Sequence, residues 1–228
     1  NIFKGGEWLS LSVMGNFQVS VKNETRAIEF GANAGLSFPT FLLLPSSVFR
    51  NIVPRTDINL TYNYQQRPEY SRNMIGGKFG WSWGSKNNKW YFQATPLQIN
   101  IVNLPYYSPQ FMESLTNPFV REAYKNHFDL GLGYNMQYSS TPSINPKVSY
   151  LKASLQVDIS GNLISAFNKF MPKDSTGAYT IWDSPYSQYI RAEGSASYTW
   201  MFGKDNKQAL AVRGLIGAGL AYGNSSKM

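Results

Sequence analysis

Along most of this chain hydrophobic and polar residues alternate with a period of two, which predicts strands that show an apolar face on one side and a polar face on the other. In AIEFGANAGLSF, Ile28, Phe30, Ala32, Ala34, Leu36 and Phe38 share one side, while Glu29, Gly31, Asn33, Gly35 and Ser37 share the other. DINLTYNYQ sets Ile58, Leu60, Tyr62 and Tyr64 against Asp57, Asn59, Thr61 and Asn63. MIGGKFGWSWG sets Ile75, Phe79, Trp81 and Trp83 against Lys78, Gly80 and Ser82. HFDLGLGYNMQY sets Phe128, Leu130, Leu132, Tyr134, Met136 and Tyr138 against His127, Asp129, Gly131, Asn135 and Gln137.

Three later stretches repeat the division. Leu151, Ala153, Leu155, Val157 and Ile159 oppose Lys152, Ser154, Gln156 and Asp158. Ile190, Ala192, Ala196, Tyr198 and Trp200 oppose Arg191, Glu193, Ser195, Ser197 and Thr199, and Leu210, Val212, Ile216, Ala218 and Leu220 oppose Arg213, Gly217 and Gly219. With EWLSLSVMG and the less regular KWYFQATPLQINIV, about nine strands result, each near the roughly 10 residues that cross a bilayer when tilted. Pro96 marks the expected bulge or bend in the irregular one.

The connections differ in character. GSKNN, TPSINPK and FGKDNKQ are short and polar, whereas residues 103–127 and 161–188 form long, aromatic-rich loops. Short turns at one end and long loops at the other is the pattern of an outer-membrane barrel. In the first long loop, Ser108 is placed to cap a short helix with Pro109 at its first position, and Pro118 to start another. Phe111, Leu115, Phe119 and Tyr124 would then pack that loop down as a lid. The connection from Phe38 to Thr56, with FLLLP inside it, falls on the short-turn side and is expected to touch lipid headgroups.

Alternation by itself also fits a sandwich or a lipocalin-like barrel with its apolar face turned inward. Strand length, aromatic residues at strand ends (Trp8, Trp81, Trp83, Trp90, Tyr138, Trp200, Tyr222) and a polar, glycine-rich opposite face favour lipid outside. Composition agrees: 15% of the residues are charged and 15% aromatic, and cysteine is absent, which removes disulfide frameworks and thiolate chemistry. The net charge of +8 comes from singly scattered Lys and Arg, so no nucleic-acid patch is present, while phosphorylated lipid headgroups are a plausible contact. The start of the chain has no apolar run like a signal peptide, and no run approaches the roughly 18 apolar residues of a membrane helix. The expected fold class is therefore all-β, a partial antiparallel transmembrane barrel with a few short loop helices.

Candidate chemistry is sparse. His127 is the one histidine; a barrel lipid hydrolase would pair it with a serine such as Ser139 or Ser140, but no spacing supplies a carboxylate to orient it. Arg191, Glu193, Arg213, Lys78 and Asp158 are expected on the polar, lumen-facing side, where Arg191 and Glu193 share one strand face. Trp81, Trp83, Trp90, Tyr138 and Trp200 are expected as interfacial anchors. The polar-side glycines Gly31, Gly35, Gly76, Gly80, Gly131, Gly133, Gly217 and Gly219 leave room for an internal plug or serve curvature and tight packing. Two Asn-x-Ser/Thr triplets, at Asn59 and Asn224, match a glycosylation pattern. No phosphate loop, nucleotide fingerprint or paired metal ligands occur, so no cofactor is implied.

Residues Asn1–Ser12, NIFKGGEWLSLS, resemble the Asn-Leu-Phe-Gly-x-Gly-Glu turn and strand of the BamA/TamA superfamily of outer-membrane assembly factors (bacterial surface antigen barrels), with Lys4 where that family commonly has Gly. AVRGLIGAGLAYGNSSKM is similar to the strand that enters the family's long inward-folded loop. NPFVREAYKNHF and SPYSQYIRAEGSASYTW resemble most the TamA-like lipoprotein (TamL) branch of Bacteroidetes. The resemblance implies a non-enzymatic protein of the bacterial outer membrane that helps other outer-membrane and surface proteins fold, insert or translocate. Residues 1–228 would be the central portion of one barrel domain, about the third through eleventh of roughly 16 strands. Partners implied are outer-membrane lipids and lipopolysaccharide, client outer-membrane proteins, the missing strands and periplasmic domains of the same gene product, and an inner-membrane-anchored assembly partner. A passive diffusion channel and an outer-membrane lipid hydrolase remain the alternatives.

Overall fold

The computed structural model describes residues 5–20, 25–44, 52–116, 124–143 and 146–226. Nine long strands form one sheet: β1 (Trp8–Ser20), β2 (Thr25–Phe38), β3 (Val53–Gln66), β4 (Tyr70–Gly84), β5 (Trp90–Tyr107), β6 (His127–Ser139), β7 (Tyr150–Ser160), β10 (Tyr189–Phe202) and β11 (Gln208–Ala221). A two-stranded hairpin, β8 (Thr180–Ile181) and β9 (Ser184–Pro185), lies inside the last long loop. The long strands pair antiparallel with their sequence neighbours, β7 pairing with β10 across that loop. The sheet is open: β1 and β11 are its two edges and are not paired with each other.

The nine expected strands are thus the nine of the sheet. They run from 11 residues in β7 to 18 in β5, longer than the roughly 10 residues expected. Register converts alternation into faces. Leu11, Ala34, Leu60, Gly77, Ile99 and Leu130 are successive neighbours across six strands, and Tyr134, Val157, Ala192 and Ala218 continue the apolar side across the rest. One residue along, Ser12, Asn33, Thr61, Gly76, Asn100 and Asp129 form a polar row, as do Asn135, Gln156, Glu193 and Gly217.

β5 keeps its place in this scheme through two irregularities. Trp81 opposes Ala94 and Phe79 opposes Leu97, so β5 holds one extra residue at Thr95–Pro96; the pairing to β6 skips at the same point. Trp90, Phe92 and Ala94 are even-numbered while Leu97, Ile99 and Ile101 are odd, and only an inserted residue lets both sets face one way. Proline fits because its missing N–H falls where the ladder is interrupted. A second extra residue falls at Leu104–Pro105, and there the side chain of Asn126 accepts from the Leu104 N–H at 2.7 Å.

Among the described residues no second layer covers the middle of the apolar face. Leu60, in the interior of the sheet, is 61% exposed, and Ile75, Leu97 and Leu155 are also exposed. A cluster of buried apolar residues, Phe128, Ile164 and Tyr186, lies under the long loop, with Ile99, Ile101 and Leu130 packed against it. Water-soluble monomers rarely leave apolar patches beyond a few hundred Å² uncovered. The polar face is the crowded one. A Cβ added at Gly35 would meet Ser10 and Asn59, and one at Gly131 would meet the Ile159 carbonyl, all inside 3 Å, whereas at Gly15 and Gly214 on the apolar face nothing lies within 4 Å. Packing at the wall therefore accounts for Gly35 and Gly131, while Gly219 has its nearest neighbour at 3.9 Å.

The segregation of loop lengths is looser than the sequence pattern predicts. The connection from β3 to β4, on the long-loop side, is a tight turn in which the Arg67 N–H donates to the Tyr70 carbonyl oxygen at 2.8 Å. The two long loops occupy that side and the residue 39–52 connection the other, so the rule holds from β4 onward but not before.

Candidate functional site

The polar wall gathers most of the predicted lumen residues. Arg191 opposes Asp158 across β7 and β10, and its Nη2 lies 3.1 Å from Glu193 Oε2 on its own strand. Gln156 donates to Asp158 Oδ2 at 2.8 Å, so an ion pair and a hydrogen-bonded pair stand side by side as the polar network of these two strands. Lys78 lies on the same face between Asn59 and Gln98, apart from that network. Arg213 stands opposite Ser197, three polar rows along from the Arg191–Gly219 pair, and does not join it. Arg55 and Asp57 make a further same-strand ion pair at 3.5 Å. Sequence reading missed Asp129, whose Oδ1 is buried with no hydrogen-bond partner among the described residues, beside a small cavity lined by Gln98, Asn100, Asp158 and Tyr189. Its position in a regular alternation carries no sign of that burial.

The predicted anchors lie on the apolar face at the short-turn end. Trp83 stacks on Phe92 with ring centroids 5.5 Å apart, Phe92 on Trp90 at 6.0 Å, and Trp90 meets Tyr138 at 4.7 Å. Trp81 lies on this face and its Nε1 donates to the Leu42 carbonyl oxygen at 2.9 Å. Trp200 contacts Phe202 at 5.5 Å farther along the sheet. Such a belt suits the boundary between hydrocarbon and water. Trp8 departs from it: its register with Ser37, and of Ser37 with Asp57, places it on the polar face.

The residue 39–44 segment folds onto the apolar face beside this belt. Thr56, fully buried, donates to the Thr40 carbonyl oxygen at 2.6 Å and accepts from the Leu42 N–H at 2.9 Å, and Phe41 meets Trp83 edge-on. Leu43 projects away, 85% exposed. The rest of that connection, residues 45–51, lies outside the described residues.

At the other end the two long loops turn opposite ways. The first folds over the polar face: Ser108 caps α1 (Pro109–Ser114), accepting from the Phe111 N–H at 3.2 Å, with proline in the first turn as expected. Phe111 and Tyr124 then pack on Tyr70, all three centroids within 5.2 Å of one another, and Arg72 lies over Tyr124. Pro118 and Phe119, expected in a second helix and in the lid, lie outside the described residues.

The second loop folds over the apolar face. Gly161 donates to the Leu130 carbonyl oxygen and Ser187 to that of Phe128, each at 2.9 Å, extending the β6 edge beyond the end of β7. Gly161 has φ of +81° and would crowd Ser187 and Gln188 with any side chain, so glycine is required there. After it come the one-turn helix α2 (Asn162–Ser165) and the β8–β9 hairpin, and Trp182 stands edge-on to Phe128. Burial pushes the Tyr186 hydroxyl up, against the lowering effect of its bond to Asn168. The Asp174 carboxyl is held below its usual range, chiefly by the Thr176 hydroxyl and then by the Ala178, Thr176 and Gly177 amides, against a smaller opposing effect of burial.

Asn224 locks this loop to the end of β11. Its Nδ2 donates to the Tyr179 and Tyr186 carbonyl oxygens, both at 2.9 Å, and its Oδ1 accepts from the Tyr179 N–H at 2.7 Å. The side chain that a glycosylation reading needs in solvent is buried and fully used. Asn59, the other such asparagine, lies on the polar face against Gly35.

His127 Nδ1 lies 2.8 Å from the Lys125 carbonyl oxygen at the long-loop end of β6. Ser139 and Ser140 are at the opposite end of that strand, Ser139 donating to Thr141, so these residues form no Ser–His pair. Among the described residues no group of three or more acidic, His or Cys side chains could hold a metal, and no helix is long and apolar enough to cross a membrane. No protein-family model matches this chain, and no curated protein matches it as a relative.

Proposed function

We propose that this chain forms part of the wall of a transmembrane β-barrel in a bacterial outer membrane, and that the protein is an assembly and insertion factor of the kind its sequence resembles. The observation that carries the first half is the uncovered apolar face of a nine-stranded sheet whose opposite face is polar and crowded. In the barrel reading lipid covers the first and a hydrated lumen the second. The belt at Tyr138 and the loop cluster at Phe128 lie ten residues apart on β6. At ~3.3 Å per residue and a tilt near 40°, that separation corresponds to about 25 Å, the height of the apolar band of such barrels.

The insertion role rests on the resemblance of the Asn1–Ser12 and Ala211–Met228 stretches, and on physics that the edges supply. Rows of unpaired N–H and C=O groups on β1 and β11 are costly in hydrocarbon, so further strands must pair with them. Where such a seam is weak, a client strand adds by main-chain hydrogen bonds that are blind to its sequence. A short apolar band thins the adjacent bilayer and lowers the barrier to insertion.

Two measurements test the two halves. Nitroxides at Leu60 and Asn59 of the full-length protein in liposomes should differ, the first relaxed by oxygen and the second by a water-soluble nickel complex; the reverse would turn the sheet inside out. Liposomes carrying the full-length protein should fold an unfolded outer-membrane protein faster than empty ones, and equal rates would remove the insertion role. The polar rows equally suit a passive channel, which steady conductance without accelerated folding would select. In whole cells, cysteines at Ser114 or Lys173 should label from outside and those at Asn87 or Asn206 should not.

A further inference from the structure

We propose that the polar wall carries a binding site for a phosphate group, held between Lys152 and Arg213 near the short-turn end. Ser139, Lys152, Ser197 and Arg213 are successive neighbours in one polar row across β6, β7, β10 and β11. With strands ~4.8 Å apart, the two cationic residues stand about 10 Å from each other at the backbone, and their side chains are long enough to converge over Ser197. The next row adds Ser154 and Ser195, whose hydroxyls are 2.8 Å apart. These residues line a cavity of about 470 Å³ that also takes in Lys89, and no acidic residue lines it.

No carboxylate lines this place, in contrast to the surroundings of Arg191 and Arg55. Arg191 is neutralised by Glu193 and Arg55 by Asp57 on their own strands. Among the described residues Lys152 and Arg213 have no ion pair; the Lys152 ammonium has instead the face of Tyr150, 5.3 Å away. An anion between them gains from both charges at once.

The donors select the class of anion. The guanidinium of Arg213 offers a planar fork and the ammonium of Lys152 a point charge. The Ser197 hydroxyl has no hydrogen-bond partner among the described residues, and the Ser154–Ser195 pair, having one proton between its oxygens, keeps a second to donate outward. Ser139 is not counted, because its hydroxyl donates to Thr141. That set exceeds what the two oxygens of a carboxylate can use and suits the three peripheral oxygens of a phosphate ester. The cavity is much larger than the ion, so the ligand is a phosphate on a carrier, either a lipid headgroup or a soluble phosphate ester. The site depends on the polar face alone and stands whatever the apolar face contacts.

Calorimetry on the full-length protein in neutral maltoside micelles tests it, with pyrophosphate and water-soluble dihexanoyl phosphatidic acid as probes and dihexanoyl phosphatidylcholine as the zwitterionic comparison. Binding of both acidic probes, or of either one, supports the site; phosphatidic acid alone assigns it to lipid and pyrophosphate alone to a soluble ester. Affinity should fall as salt rises. Lys152→Gln and Arg213→Gln should each weaken binding about tenfold, equivalent to about 1.4 kcal/mol. Lys152→Arg should retain it, and so should Lys207→Gln, which removes the same charge from a turn where Lys207 lies 3.6 Å from Asp205. Binding of neither probe, binding unchanged in both Gln variants, or binding of a glutamate-rich peptide in place of the phosphates would overturn the proposal.

Discussion

The indole Nε1 of Trp81 donates to the carbonyl oxygen of Leu42 at 2.9 Å, tying a connection between strands to the apolar face of the sheet. The bond runs between residues 39 apart in the chain, and with Thr56 it holds the residue 39–44 segment on the apolar face. Trp81→Phe keeps the ring and removes the donor, leaving the Leu42 carbonyl without that bond. A loss of about 1 kcal/mol is expected, read as a lower thermal midpoint, together with faster proteolysis near Leu43.

Asn224 makes three hydrogen bonds to the 161–188 loop from a buried position. Asn224→Ala strands an N–H and two carbonyl groups, so a cost of about 2–3 kcal/mol is expected. In limited trypsin digestion of the folded protein, cleavage after Lys169 and Lys173 should accelerate while the strands stay protected. Unchanged cleavage would mean the loop holds itself in place.

Thr95–Pro96 sets the phase of β5. Pro96→Ala keeps the residue count and should cost less than about 1 kcal/mol, as surface or edge changes commonly do. Deleting Pro96 should be far worse, because it turns Leu97, Ile99 and Ile101 to the polar side or Trp90, Phe92 and Ala94 with them. Folding yield into detergent micelles distinguishes the two outcomes.

The Asp174 carboxyl is held low in the folded loop by the Thr176 hydroxyl and the neighbouring amides. A folded value below the unfolded one means that the contribution is complete above the unfolded range near ~3.9 and is lost as pH falls through the folded value. Amide exchange at Gly177 and Ala178 should therefore quicken at acid pH beyond the intrinsic rate. Asp174→Asn should remove that extra dependence, and a variant that keeps it would place the cause elsewhere.

Phe170 and Trp182 in the second long loop are 86% and 80% exposed although the loop beneath them is well packed. In the barrel reading they lie at headgroup depth, as Leu43 does at the opposite boundary. Nitroxides at Phe170 and Leu43 should report interfacial depth, and one at Leu132 the hydrocarbon. Phe170 in water with Leu132 in hydrocarbon would detach the loop from the membrane and leave the barrel standing.

Much of this was legible because strands write themselves in a period of two. The nine strands, both faces, the Ser108 cap and the Pro96 irregularity depend on near neighbours in the chain. The placement of Trp81, Trp83, Trp90, Tyr138 and Trp200 on the apolar face was legible for the same reason, since they are apolar-phase residues near strand ends. Trp8 was misread because a position near a strand end does not reveal its phase. The pairing of Arg191 with Glu193 was open to reading as two residues on one strand face; the isolation of Arg213 from them was not, since it depends on cross-strand register.

By itself, then, the sequence determined that this protein is all-β and that each strand is apolar on one side, since side-chain direction in an extended chain follows from local geometry alone. Tertiary structure decided which way the two long loops fold. Phe111 and Tyr124 find Tyr70 on the polar face, while Ile164 and Tyr186 find Phe128 on the other. Both loops are aromatic-rich, and nothing in an aromatic side chain names the face it will cover. That choice rests on contacts and hydrogen bonds between residues distant in the chain, such as Asn224 with Tyr179, which exist only once the register of the sheet has brought their strand ends together.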